Sequence, residues 1–184
     1  MTNIQAALAV PGWMEPASLR WLAHAASRAH IVVECGAWQG RTTRVLADHC
    51  TGKVYTIDDW QTPCLCDDGT LHHDLNRVRA QFELHLAEHL RRKRVVVLQG
   101  LTREVLPRLL AKLGGKVDLL FLDADHRREA IAEDIRLSLP LVRAGGILAG
   151  HDYHNPTWPG VTAAVDAAFG TVRTGGHMIW WVRR

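Results

Sequence analysis

No apolar run in the sequence approaches the ~18 residues that a membrane span needs, so no membrane association is expected. The opening stretch, MTNIQAALAVPGWMEP, has no basic region followed by an apolar core, and no secretion signal is expected there. Cysteine is scarce: four in 184 residues do not make a disulfide framework, and a reducing, cytoplasmic setting is expected. An excess of one charge is lacking as well. Lys and Arg number 22 against 19 Asp and Glu, a net +3 with a pI near 8.8, too mild to argue for nucleic acid. Hydrophobic residues at 47% and charged residues at 22% exclude disorder, collagen and coiled coil. No repeat, linker or low-complexity tract divides the chain, and its length suits one domain over residues 1–184. What the sequence does have in surplus is histidine, eleven in all, able to titrate or bind metal.

Short β-rich runs alternate with longer amphipathic stretches. IVVECG (31–36), KVYTID (53–58), RVVVLQG (94–100), VDLLFLDAD (117–125) and GGILAGHDY (145–153) read as buried strands. TVRT (171–174) and MIWWVR (178–183), separated by Gly175-Gly176, read as a terminal hairpin. Apolar positions at helical spacing predict helices over 16–29, 41–49, 74–89, 103–113, 127–141 and 161–169. Apolar strands alternating with helices require a mostly parallel sheet covered on both faces, and right-handed crossovers make it doubly wound. Ligands of such sheets bind at the carboxyl ends of the strands, so the residues following each strand are the ones to question.

VVECGAWQGRTT (32–43) is a strand, a glycine turn and a helix start. Trp38 breaks the G-x-G-x-x-G spacing, and a bulky indole does not suit pyrophosphate lying on the backbone. Glu34 at the strand's end would repel phosphate and attract a cation, which suggests a positively charged nucleoside ligand. Asp58 closes the second strand 22 residues after Gly36, a position suited to ribose hydroxyls, with Asp59 as the fallback and a turn cap as the plain alternative. In LFLDADH (120–126), Asp123 and Asp125 could hold a cation or orient a substrate and His126 could act as a base, although Asp125 could equally cap the next helix. His151 and Asp152 end the following strand; beside Asp123 they would form a partial metal shell. Cys64, Cys66, His72 and His73 fall within ten positions of one another but lack the usual two-residue spacer of zinc ligands. RRKR (91–94) reads as a solvated helix end.

Taken in order, these motifs resemble the class I S-adenosylmethionine-dependent methyltransferases, in particular the small-molecule O-methyltransferase branch with macrocin-type and cephalosporin-hydroxylase-like members. The match runs over roughly residues 13–183. It rests on Glu34, Gly36, Gly40, Arg41 and Thr42, on Asp58, on Asp123, Asp125 and His126, on Pro140 through Gly145, Gly146, His151, Asp152 and Tyr153, and on Pro159 to Val165. The resemblance implies a Rossmann-like, seven-stranded α/β sheet with an antiparallel C-terminal hairpin. It implies that Glu34, Gly36, Ala37, Trp38, Gly40 and Thr42 cradle the methionine part of S-adenosyl-L-methionine, that Asp58 holds its ribose, and that Gly100 and Leu101 line its adenine, with Asp123 also at the cofactor. For transfer to a hydroxyl of a small-molecule acceptor, Asp123, Asp152 and one of His126 or His151 are the groups expected to be catalytic, a cation lowering the hydroxyl's pKa and the histidine accepting its proton. Metal-dependent relatives would hold a divalent ion, Mg²⁺ or Mn²⁺, at Asp123, His151 and Asp152. An imidazole at position 151 is a poor ligand for Mg²⁺.

Two other readings are open on sequence. One is a nucleic-acid methyltransferase of the same fold, against which stand the mild charge and Asp-Ala-Asp-His in place of an Asn/Asp-Pro-Pro-aromatic turn. The other is a non-catalytic cofactor-binding module. With little chain to spare, the 60–76 loop, the segment around Trp13 and Met14, or a second subunit of a homodimer must close the site.

Overall fold

The computed structural model describes residues 3–62 and 74–184, together with the backbone of 64–65 and 71–72. Among these residues the strands are β1 (Ile31–Cys35), β2 (Lys53–Asp58), β3 (Cys64–Leu65), β4 (Leu71–His72), β5 (Val95–Gln99), β6 (Val117–Leu122), β7 (Val142–Gly150), β8 (Arg173–Gly175) and β9 (Ile179–Arg183). The helices are α1 (Gln5–Leu8), α2 (Pro16–Ala26), α3 (Arg41–His49), α4 (Leu75–His85), α5 (Ala87–Arg91), α6 (Thr102–Leu113), α7 (Arg128–Ser138) and α8 (Pro159–Phe169). Seven strands form one sheet in the order β5-β2-β1-β6-β7-β9-β8, parallel except for β9, which runs antiparallel to both β7 and β8. Strands β3 and β4 pair as a separate hairpin.

Both faces of the sheet are covered because successive strand residues point to opposite sides. Val32, Val54, Leu119 and Phe121 join Leu22, Val45 and Phe82 beneath α1–α5. Val33, Ile57, Leu120 and Leu122 join Leu106, Ile135 and Val165 beneath α6–α8. The strand order reverses between β1 and β6, which opens a crevice at their carboxyl ends.

Three predicted elements differ in the fold. The single helix read over 74–89 is two, broken at Leu86. That side chain is fully buried and packs against Gly40, and the ring of His85 bonds the Gln39 carbonyl at 2.9 Å. The strand read over 117–125 stops at Leu122. Asp123 through Asp125 thus leave the sheet at its edge, although the Asp123 amide still donates to the Cys35 carbonyl at 2.8 Å. β7 begins at Val142, ahead of the paired glycines, because a bulge opposite Val117–Leu119 and a left-handed Gly145 (φ 75°) let it pair earlier. Helix α1 and the β3–β4 hairpin are too short to carry a periodic signal.

Gly36 is the tightest point of the crevice. Its amide donates to the Ile57 carbonyl at 2.8 Å, its φ is +89°, and a Cβ there would lie 2.0 Å from the Asp123 carbonyl oxygen. Gly36→Ala is therefore expected to cost about 3 kcal/mol or more through combined strain and overlap. Urea unfolding measures it; an unchanged midpoint would mean that the β1 loop can move away from β6 freely.

Candidate active site

A cavity of about 760 Å³ lies at the carboxyl ends of the parallel strands, within the range of small-molecule sites. It brings together most of the residues singled out in the sequence. Gly36, Ala37, Trp38 and Thr42 line it from the β1 loop and α3, Asp58 from β2, and Gly100 and Leu101 from the end of β5. Asp123, His126, His151 and Asp152 line it from β6 and β7.

Asp58 organises the first half. Its Oδ2 accepts the backbone N–H groups of Ala37 (2.8 Å) and Trp38 (2.9 Å), and its Oδ1 accepts that of Trp60 (2.9 Å). Burial pushes its carboxyl up, against the three N–H donors that favour the anion. Trp38 and Trp60 both take left-handed backbone conformations (φ 50° and 46°), and the Trp60 indole N–H donates to the Trp38 carbonyl at 3.1 Å. One carboxylate thus ties two strand ends into one loop surface. Asp59, the fallback, is occupied by its own turn: it accepts from the Gln61 and Thr62 amides and the Thr62 hydroxyl.

Two expected cradle residues do not line the cavity. Glu34 is completely buried. Its Oε2 accepts the hydroxyls of Thr43 (2.6 Å) and Thr56 (2.7 Å), and its Oε1 has no hydrogen-bond partner among the described residues. Burial pushes this carboxyl up to about 8, outweighing the two threonine hydroxyls, so the neutral form is favoured at physiological pH. The anion expected to attract a cationic ligand is therefore a neutral acid that joins β1, β2 and α3. Gly40 caps α3 in a left-handed conformation (φ 94°), and a Cβ there would strike Leu86 at 2.4 Å, so it serves packing.

The second half of the cavity holds the polar cluster. His126 Nε2 lies 2.8 Å from Asp152 Oδ2 and 3.7 Å from Asp123 Oδ1. Burial alone would lower this imidazole, but the two carboxylates outweigh it and push it up to about 10. The two carboxylates thus favour the imidazolium form of His126, where a neutral base was expected from its position. Asp152 sits in a left-handed conformation (φ 60°) and is held well below the usual carboxylate range, because bonds to His126 and His151 overcome its burial. Asp125 also lines the cavity, where it accepts the Arg127 amide at 2.9 Å and pairs with that guanidinium; it does not cap α7, whose N-cap residue is Arg127.

A divalent ion needs donors that converge. His151 does not supply one: its Nδ1 lies 3.3 Å from Asp152 Oδ2, and its Nε2 is buried without a partner among the described residues. Asp123, His126 and Asp152 each offer an atom within 4.8 Å of the others. Two carboxylates and an imidazole suit Mn²⁺ or a softer ion better than Mg²⁺. Of the residues expected from the resemblance, Asp123 and Asp152 fall in this converging set and His151 does not, whereas the loop after β6 brings His126 into it.

Several contributors carry no sequence signal. Asn155 Nδ2 donates to Asp152 Oδ1 at 2.6 Å, and Trp158 stacks on His126 with ring centroids 4.7 Å apart. His177 and Met178 enter the wall from the β8–β9 turn, which Ser18 fixes by accepting the His177 amide (2.9 Å) and donating to its carbonyl (2.6 Å). Cys66 and His73 lie outside the described residues, as do the side chains of Cys64 and His72. In the basic run, Arg92 pairs with Glu88 and Arg94 donates to the Ala47 and Cys50 carbonyls.

The strand order, with its reversed β9 and a cavity at the β1–β6 switch, defines the Rossmann-like methyltransferase fold. The family model described as a methyltransferase domain matches residues 33–153, and the chain belongs to that family of enzymes. No curated protein sequence matches it. Among solved structures it is similar to CalS11, a TDP-rhamnose 3'-O-methyltransferase of calicheamicin biosynthesis, at 20% identity and a TM-score of 0.66, covering 90% of this chain and 77% of that one. An O-methyltransferase from Bacillus cereus in complex with SAH is similar at 19% identity and a TM-score of 0.67, covering 98% and 87%. TomG from Streptomyces achromogenes, an O-methyltransferase of tomaymycin synthesis in complex with SAM, is similar at 17% identity and a TM-score of 0.66, covering 98% and 85%. Among the described residues no helix is long and apolar enough to cross a membrane.

Proposed function

We propose that the protein uses S-adenosylmethionine to methylate a hydroxyl group of a small-molecule acceptor. The observation that carries this reading is a single cavity containing both the loop that Asp58 organises and the Asp123–His126–Asp152 cluster. S-adenosylmethionine would supply a methyl group on a positively charged sulfur. The loop at 36–38 would seat its methionine part, Asp58 its ribose through lone pairs left over from the backbone N–H groups, and Gly100 and Leu101 its adenine. That an O-methyltransferase from Bacillus cereus is in complex with SAH and TomG with SAM supports a cofactor of this class.

The polar cluster would then orient the acceptor. Asp152 is fixed by Asn155 and His126 and can accept a hydrogen bond from a hydroxyl, and His126, after giving its own proton to solvent, can take that of the hydroxyl. With a divalent cation on Asp123, His126 and Asp152 instead, His126 would be a ligand and not the base, and the cation would lower the pKa of that hydroxyl. The pairing of Arg92 and Arg94 with protein groups, and the named small-molecule chemistry of CalS11, favour a small acceptor over nucleic acid.

Calorimetry with S-adenosylhomocysteine, followed by transfer of labelled methyl to a panel of hydroxylated small molecules, tests the proposal. The wild type is expected to bind the probe. Asp152→Ala should bind within a few-fold of wild type yet lose transfer by about 100-fold or more. Absence of binding by the wild type would remove the cofactor reading; transfer undiminished in Asp152→Ala would remove the cluster from the chemistry.

A further inference from the structure

We propose that Arg41 is a positioning residue that pins residues 10–15 across the cavity mouth, making Trp13 and Met14 a fixed wall against the ligand. The nature of that ligand rests on the methyltransferase reading, but the pinning does not. Arg41 opens α3 directly behind the β1 loop, and its guanidinium reaches away from its own helix. Nε donates to the Val10 carbonyl at 2.7 Å and Nη1 to the Met14 carbonyl at 3.2 Å. These carbonyls lie four residues apart on either side of a turn, a span that a preorganised planar fork of donors bridges with less loss of freedom than a flexible ammonium.

The turn is shaped to the arginine. A Cβ on Gly12 would meet Arg41 Cβ at 3.2 Å and Cδ at 3.3 Å, so the chain passes close over the aliphatic stem. Beyond it, the Trp13 ring, 49% exposed, leans on Trp38 with centroids 5.3 Å apart. Trp38 belongs to the loop whose amides Asp58 holds. A continuous set of contacts therefore links Arg41, the strap, Trp13, Trp38 and Asp58. The strap has little independent order: α1 has four residues, far short of what holds a helix in water, and only Ile4, Ala7, Val10 and Met14 of this region are buried apolar anchors. Trp13 and Met14 both line the cavity, so where the strap sits decides how the cavity closes.

Hydrogen exchange of the ligand-free protein and stopped-flow release of S-adenosylhomocysteine test this in Arg41→Ala, Arg41→Lys and Trp13→Ala. In Arg41→Ala, the amides of Leu8, Ala9 and Val10 should exchange about tenfold faster while β1 and β6 keep their protection. The probe should leave about five- to tenfold faster. Trp13→Ala should leave strap exchange as in wild type but speed release similarly, and Arg41→Lys should fall between Arg41→Ala and wild type. Unchanged strap exchange in Arg41→Ala would overturn the pinning. Equal loss of protection in β1 and β6 would also overturn it, showing a merely structural residue. Faster release in Arg41→Ala with no change in Trp13→Ala would show that Arg41 acts on the ligand directly. A wild type that binds no probe would remove the methyltransferase reading, and strap exchange alone would then decide the proposal.

Discussion

Asp58→Ala is expected to weaken S-adenosylhomocysteine by at least about 100-fold in calorimetry, while Asp58→Asn loses about tenfold. The Asp58 carboxylate accepts three backbone N–H groups, two from the β1 loop and one from Trp60, so its removal leaves three donors on the cavity wall without their acceptor. Hydrogen bonds to a charged group are worth about 1.5–3 kcal/mol each, and losing two of them exceeds the ~2.7 kcal/mol that 100-fold represents. An asparagine keeps one carbonyl oxygen and so part of the set. The variant also removes the group proposed for the ribose, and both losses act in the same direction. Binding by Asp58→Ala within threefold of wild type would show that the loop holds its shape alone and that the ribose finds another partner.

Glu34→Gln is expected to be more stable than wild type at pH 8 by about 4 kcal/mol, and at pH 5 by only about 1 kcal/mol. Burial raises the Glu34 carboxyl from 4.5 to about 8 in the folded protein. The folded state therefore binds this proton more tightly than the unfolded chain does. Below 4.5 the group is neutral in both states and exacts no penalty. Between 4.5 and 8 the unfolded chain releases the proton while the fold retains it, and the stability of wild type falls progressively across that window. Glutamine is neutral throughout and keeps an oxygen for Thr43 and Thr56, so the difference between the two proteins isolates this one group. Urea unfolding at both pH values measures it. A gap that is the same at pH 5 and pH 8 would mean that Glu34 is ionised in the native protein, facing a cation not visible among its neighbours.

These two acids show how far sequence reading goes. Asp58 was legible because a strand end and a 22-residue separation place it beside the β1 loop, at the crevice, whatever the surrounding loops do. Glu34 carried an equally strong motif, but alternation along β1 sends its side chain toward α3 and β2, where Thr43 and Thr56 meet it. The motif's charge sign suggested a ligand contact, whereas its burial makes it a neutral internal tie. Gly40 divides in the same way: its left-handed φ was implied by the turn, but the reason no side chain fits is Leu86, nearly fifty residues on. His126 and His151 were both visible. Which of them joins Asp123 and Asp152 depends on a loop path stabilised by Asn155 and by stacking on Trp158, neither of which has a periodic or spacing signature.

The sequence by itself determined the alternation of strands and helices, the parallel sheet, the strand ends that face the crevice, and the methyltransferase motifs along them. Local patterning suffices for these, because hydrophobic periodicity and glycine turns act over a few residues. Only the tertiary structure decided which acid is buried and neutral, which histidine meets the carboxylates, and that Arg41 ties residues 10–15 over the cavity. Each of these depends on contacts between segments distant in the chain, where burial and approach distance, not residue type, set the chemistry.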